Sequence, residues 1–151
     1  MKFVVKKDQG LIPQVLSHIL DSCVNGITLS DPDMEDNPIV YANKAFEVMT
    51  GYKSDEIIGR NCRFLQGQDT NQEGVGRIRE ALINKHPVEV TIRNYRKNGQ
   101  LFYNRLSITP LFNEDDELIY FLGVQYDITS QLEAQDEIAR LNESLKHKNQ
   151  S

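Results

Sequence analysis

Between Val88 and Tyr126 the chain repeats one pattern: apolar and polar residues alternate, and then a turn follows. Val88 to Tyr95 alternates, Asn98-Gly99 is a strong hairpin signal, and Leu101 to Leu111 returns. Glu114-Asp115-Asp116 makes the next turn and Ile119 to Tyr126 ends the run. Strands joined so tightly pair antiparallel, because a parallel pair needs a crossover of about a dozen residues or more. The alternation also sorts side chains between two faces. Val88, Val90, Ile92 and Asn94 share one face, opposite Glu89, Thr91, Arg93 and Tyr95. Phe102, Asn104, Leu106 and Ile108 point the same way on the second strand, as do Ile119, Phe121, Gly123 and Gln125 on the third.

The first half supplies short elements. Leu11 to Leu20 has helical apolar spacing, Gly26 to Ser30 reads as a strand, and Asp31-Pro32-Asp33 breaks it. Pro38 to Ala42 is a second strand, and a helix runs from Asn43 until Gly51 stops it. Ser54 to Ile57 reads as a capped turn, and Val75 to Ile83 as a helix ending before Pro87. From Ile128 the pattern is helical again. These elements predict an α+β domain built on one antiparallel sheet. At 151 residues the chain has room for one such domain. The balance of 17 Lys+Arg against 22 Asp+Glu weighs against nucleic acid and anionic membranes, both of which need a basic surface. No apolar window approaches the ~18 residues of a span, and the start is too short for a signal peptide. The expectation is a soluble, cytoplasmic protein.

Three features carry possible chemistry. Asn94, Asn104 and Gln125 each place a primary amide on an otherwise apolar face. A buried amide without a partner costs about 1–3 kcal/mol, so the three bond one another and stray backbone, or they bond a ligand. Gly123 among them leaves room for a flat ring. Arg63 and Arg79 could hold a phosphate bidentately, although on spacing alone ordinary solvated arginines are the better reading. Cys62 is the third feature. A lone cysteine is more often a small buried hydrophobe, and a hydrolytic one needs a base. His18, His86 and His147 have no evident reason to meet it, and with Cys23, taken as core, they fit no metal spacing.

The segment Gly59 to Gly67 reads GRNCRFLQG. It resembles the signature of LOV (light, oxygen, voltage) domains, the flavin-binding branch of the PAS superfamily. The resemblance runs from about Gly26 to Thr129, through NPIVYANKAFEVMTGY, RNYRKNGQ, NRLSITP and YFLGVQYDIT. Within that branch it is greatest to bacterial LOV–STAS blue-light photoreceptors. It implies a PAS fold: a five-stranded antiparallel sheet, short helices on one face, and flanking N- and C-terminal helices. It also implies FMN as cofactor and Cys62 as the photoreactive thiol, which adds to flavin C4a when blue light drives the flavin to its triplet. The excited flavin then supplies the driving force, so no resting thiolate is required. By the same resemblance Asn61 and Gln66 bond the ribityl chain, Arg63 and Arg79 the phosphate, and Asn94 and Asn104 the pyrimidine edge. Gln125 lies near N5 and O4 and relays the signal. Leu65, Ile78, Leu82, Val90, Ile92, Leu106, Ile108 and Phe121 wall the ring. Thr28 stands at a wall position where an apolar residue is usual, so it is a candidate for tuning the absorption band or adduct lifetime. Tyr103 replaces a common Trp but points outward, and Glu56 with Lys97 matches a weak surface ion pair.

The implied organisation is a helical cap over 1–24, a photosensory domain over 25–127 and a linker helix over 128–151. In the last, Ala134, Ile138, Leu141 and Leu145 are spaced as a coiled-coil seam, or as the face of a helix packed on its own sheet. Leu122, Val124 and Tyr126 give the outer sheet face apolar surface. A homodimer through that face and the flanking helices is expected. No effector fits after Ser151, so the chain is either a short LOV protein or a fragment. The expected function is a sensor and not a turnover enzyme; a flavin redox sensor and a PAS dimerisation module are the alternatives.

Overall fold

The computed structural model describes residues 14–149. In chain order the elements are α1 (Gln14–Asp21), β1 (Gly26–Ser30), β2 (Ile39–Ala42), α2 (Lys44–Thr50), α3 (Ser54–Ile57) and a 3-10 helix (Cys62–Gln66). Then come α4 (Glu73–Asn84), β3 (Val88–Tyr95), β4 (Leu101–Phe112), β5 (Leu118–Asp127) and α5 (Thr129–Asn149). The strands form one antiparallel sheet in the order β2-β1-β5-β4-β3. The expected α+β architecture, a five-stranded sheet with helices on one face, is therefore present. The part of the expected first helix before Gln14 lies outside the described residues.

The alternation decides the register. Ile92 pairs with Asn104 and Val90 with Leu106 between β3 and β4, while Leu106 pairs with Gln125 and Ile108 with Gly123 between β4 and β5. The inward faces thus fall in line, and Val75, Val90, Ile92, Leu106, Ile108 and Phe121 bury one another beneath α4. Each fully buried aliphatic side chain contributes roughly 1.5–3 kcal/mol. A second cluster joins Ile39, Ala42, Phe46, Ile57 and Leu65 under α2, α3 and the 3-10 helix. Parity fails at one place. The register shifts between Leu111 and Phe112, and Ile119 packs with Leu111 and Tyr120 instead of with the Phe121 group. An irregularity of that kind re-aims the residues opposite it.

Asn43 ties the first half together. Completely buried, its Oδ1 accepts from the Ile27 and Phe46 amides at 2.8 and 3.1 Å. Its Nδ2 donates to the Leu20 and Asn25 carbonyls at 2.8 and 3.0 Å. One side chain caps α2 and anchors the end of α1 and the start of β1. Cys23, expected in the core, is only partly buried just after α1, its thiol donating to the Ile19 carbonyl at 3.4 Å. The chain turns away there before β1 begins.

The exit into α5 is a hydrogen-bonded joint. The Ile128 amide donates to the Tyr103 carbonyl at 3.0 Å, and the Tyr103 amide donates to Thr129 Oγ1 at 2.9 Å. Asp127 accepts from the Thr129 hydroxyl at 2.6 Å and from the Arg96 guanidinium at 2.8 Å. Partial burial opposes ionisation of Asp127. The Thr129 and Arg96 hydrogen bonds prevail and hold its carboxyl below the ordinary range. Beyond the joint α5 leaves the sheet: it has no buried residue, and Ile138, Leu141 and Leu145 are 59%, 53% and 58% exposed. The alternative of a helix lying along its own sheet does not hold.

Two outcomes follow from these ties. Asn43→Ala removes a cap and leaves buried backbone groups unpaired, so a loss of about 2–4 kcal/mol is expected in urea unfolding; a loss of a few tenths would refute the hub. For Asp127, a lowered folded pKa means that its contribution is present above the ordinary value of 3.8 and is lost as pH falls through the lowered one. Wild type and Asp127→Asn should therefore differ at neutral pH and converge in acid. A constant gap would contradict the assignment.

Candidate functional site

The inner sheet face, α4 and the 3-10 helix enclose a cavity of about 290 Å³, near the lower end of the roughly 300–1,000 Å³ typical of small-ligand sites. Ile39, Leu65, Ile78, Leu82, Ile92, Leu106, Ile108 and Phe121 supply apolar wall. Asn61, Cys62, Arg63, Gln66 and Arg79 line it from the 3-10 helix and α4, and Thr28, Asn94, Asn104 and Gln125 line it from the sheet. The structure therefore gathers at one cavity every residue expected at the flavin site except Val90. Val90 points inward and is 1% exposed, but it packs behind the wall beneath α4. A Cβ on Gly74 would stand 2.7 Å from Ile92 Cγ2 and 3.5 Å from Val90 Cβ, so glycine lets α4 press onto β3 there.

The roof is pinned by residues that sequence reasoning did not mark. Arg93 on β3 grips Asp69 through two nitrogens at 2.6 and 2.9 Å, and Tyr95 donates to the same carboxylate at 2.9 Å. Gln72 accepts from the Arg93 amide at 2.7 Å and donates to the Asp69 and Arg93 carbonyls at 2.7 and 3.0 Å. The segment between Cys62 and α4 is thus bound to the sheet edge at both side chains and backbone. That cluster fixes where Cys62 can sit.

The amides are the chemically informative part. Asn104 Nδ2 donates to Asn94 Oδ1 at 3.0 Å, and Asn94 Nδ2 donates to the Arg93 carbonyl at 3.1 Å. Gln125 Nε2 donates to the Thr28 hydroxyl at 3.2 Å. Both sequence alternatives are therefore half true: the amides do bond one another and nearby groups, yet not completely. Asn104 Oδ1 and Gln125 Oε1 are buried with no hydrogen-bond partner, and so is Asn37 Oδ1, which lines the same cavity. Orphaned acceptors cost about 1–3 kcal/mol each, and several around one apolar cavity are a set of ligand contacts waiting for donors. A flat heterocycle with donors at its edge fits this set of acceptors. Gly123 keeps the floor clear, since a Cβ there would stand 2.6 Å from Thr28 Oγ1 and 2.7 Å from Gln125 Nε2.

Cys62 opens the 3-10 helix, which Asn61 caps by accepting from the Arg63 amide at 3.0 Å. By accessible area Cys62 is exposed, and it lines the cavity, while protein packs closely around the thiol on its other sides. Desolvation there pushes the thiol up, against the opposing pull of its backbone amide and of Arg63. The resting group is a neutral thiol. Arg79 makes no ion pair among the described residues, whereas Arg63 donates to the Asp36 carboxylate. The Glu56–Lys97 ion pair expected on the surface is present.

Because Gln125 Oε1 lacks a partner, Gln125→Leu should leave the ligand-free protein unchanged or stabilise it by up to about 1 kcal/mol. A loss above about 2 kcal/mol in thermal unfolding would mean that the amide serves the fold.

Comparison with known proteins agrees with this geometry. Residues 24–130 match a PAS domain family model. A blue-light photoreceptor of Listeria innocua is 44% identical over 115 residues, covering 76% of this chain and 45% of that protein. The chain thus spans less than half of that relative. A LOV domain from a blue-light activated histidine kinase of Erythrobacter litoralis superposes with a TM-score of 0.66 at 44% identity, over 70% of this chain and 96% of that one. An RNA-binding light-oxygen-voltage receptor superposes with a TM-score of 0.77 at 34% identity, over 97% of this chain and 42% of that one. Fold, cavity and sequence converge: the chain belongs to the PAS domain family, in its light-oxygen-voltage branch.

Proposed function

We propose that the cavity holds a flavin, specifically FMN, and that the domain senses blue light through Cys62. The observation that carries this reading is the set of unpartnered acceptors around an apolar cavity that a cysteine also lines. Asn94, Asn104 and Gln125 bond the polar edge of the ring; Asn61 and Gln66 hold the ribityl chain, with Arg63 and Arg79 on the phosphate. Ile92, Leu106, Ile108 and Phe121 exclude water from the ring, and Thr28 sets the orientation of Gln125 through its hydroxyl. When bound, a flavin would supply the absorption of blue light and the site to which a thiol can add reversibly. Cys62 would supply both the sulfur and the proton for that addition and would recover both in the dark. A neutral thiol suits this role, because sulfur and proton leave the cysteine together.

The reading extends to output. Gln125, one residue from the exposed Tyr126 and two from the Asp127 joint, would carry a change in its own hydrogen bonding to that joint and so to α5. The cap, photosensory and linker boundaries at 24/25 and 127/128 follow this division. Two chains pair through the outer sheet face and flanking helices, where Tyr126, Ile138, Leu141 and Leu145 offer exposed apolar surface. The chain itself turns over no substrate.

An absorption spectrum in the dark, after blue light and during recovery tests the proposal. A flavin band that bleaches and returns in the wild type, and persists without bleaching in Cys62→Ala, is expected. A band indifferent to Cys62 would favour a redox flavoprotein, and a protein that never takes up flavin would leave only an interaction module.

A further inference from the structure

The loop before β2 reaches the cavity at Asn37, next to Asp36, and no periodic pattern marks either residue. Asp36 and Asn37 both adopt left-handed backbone, with φ of 67° and 47°. That pair of conformations turns the Asn37 amide to the cavity, where its Oδ1 is buried without a partner. It also fastens Asp36 to the 3-10 helix twice. Asn61 Nδ2 donates to the Asp36 carbonyl at 2.7 Å, and the Arg63 guanidinium donates to the Asp36 carboxylate. Arg63 in turn holds that carboxyl below its ordinary range, chiefly through this hydrogen bond.

The consequence concerns charge. Arg63 and Arg79 bring two positive charges to the cavity, and Asp36 cancels one of them. A ligand phosphate approaching Arg63 meets a guanidinium already engaged, and a carboxylate of its own sign beside it. We infer that Asp36 sets the selectivity of this cavity between phosphorylated and unphosphorylated flavins by competing with the ligand phosphate for Arg63. This rests on the flavin reading above. Asp36 weakens FMN selectively and leaves riboflavin, which has no phosphate, unaffected. Both partners are more than half exposed, so the ion pair is of the modest surface kind. Its loss should change the preference by about two- to fivefold.

The test titrates ligand-free protein, refolded without flavin, with FMN and with riboflavin, and compares the ratio of the two Kd values. Asp36→Asn keeps a residue tolerant of left-handed backbone and removes only the charge. Its preference for FMN should rise about two- to fivefold with the riboflavin Kd unchanged. Asp36→Gly, which the backbone also accepts, should give the same shift. In an Arg63→Gln background only the direct repulsion of the phosphate remains, so Asp36→Asn should raise the ratio by less than it does with Arg63 present. An unchanged or reduced FMN preference in Asp36→Asn overturns the inference while both flavins still bind, and the cavity assignment then stands. If neither flavin binds the wild type, the cavity assignment and the inference fall together.

Discussion

Buried amide oxygens without partners set the terms for the rest of this structure. A sheet that places Asn104 and Gln125 on its inner face, among Ile92, Leu106, Ile108 and Phe121, gives up stability that aliphatic side chains at those positions would keep. The sheet could close on itself only by dropping these groups. Instead α4 and the 3-10 helix stand off the sheet far enough to leave a cavity, and the glycine at position 123 keeps its floor open. The inner face presents unpaired acceptors around an apolar cavity, an arrangement that suits a flat ligand with donors at its edge.

Holding such a gap open requires rigidity around it. The Asp69–Arg93–Tyr95–Gln72 cluster fixes the roof to the sheet edge, and Asn43 fixes α1, α2 and β1 to each other. Gly74 lets α4 approach β3 closely on the far side of the wall. These contacts position Cys62 and the arginines without lying in the cavity themselves. The same economy appears at the exit, where Gln125 on the inner face of β5 is separated from the Asp127–Thr129 joint by a single residue. A change of hydrogen bonding in the cavity is therefore adjacent in sequence to the point where α5 departs.

Most of this was legible because the strands are long. Eight to twelve residues of alternation leave little freedom of register, so the inward placement of Asn94, Asn104 and Gln125 could be read directly. Parity reports the face and not the depth, so it places Val90 in the cavity wall, whereas Val90 is buried behind it. Nor does parity see a register shift, so Ile119 was assigned to the wrong neighbours. Asp36, Asn37 and Asp69 sit on irregular backbone with no period to expose them. The tripeptide Asp36-Asn37-Pro38 was the available signal, since Asn and Asp tolerate left-handed backbone and proline restricts what precedes it. The role proposed for Cys62 is not derivable from spacing; the GRNCRFLQG resemblance implies it.

The central claim is that a flavin completes this core. The most direct test is the unfolding free energy of protein refolded without flavin, measured as FMN is added, for the wild type and for Asn104→Leu/Gln125→Leu. The account predicts a wild-type gain that grows with ligand, about 2.7 kcal/mol at about one hundred times Kd, and a much smaller gain in the double variant at the same concentrations. Unfolding indifferent to FMN, or an equal gain in both proteins, would contradict it.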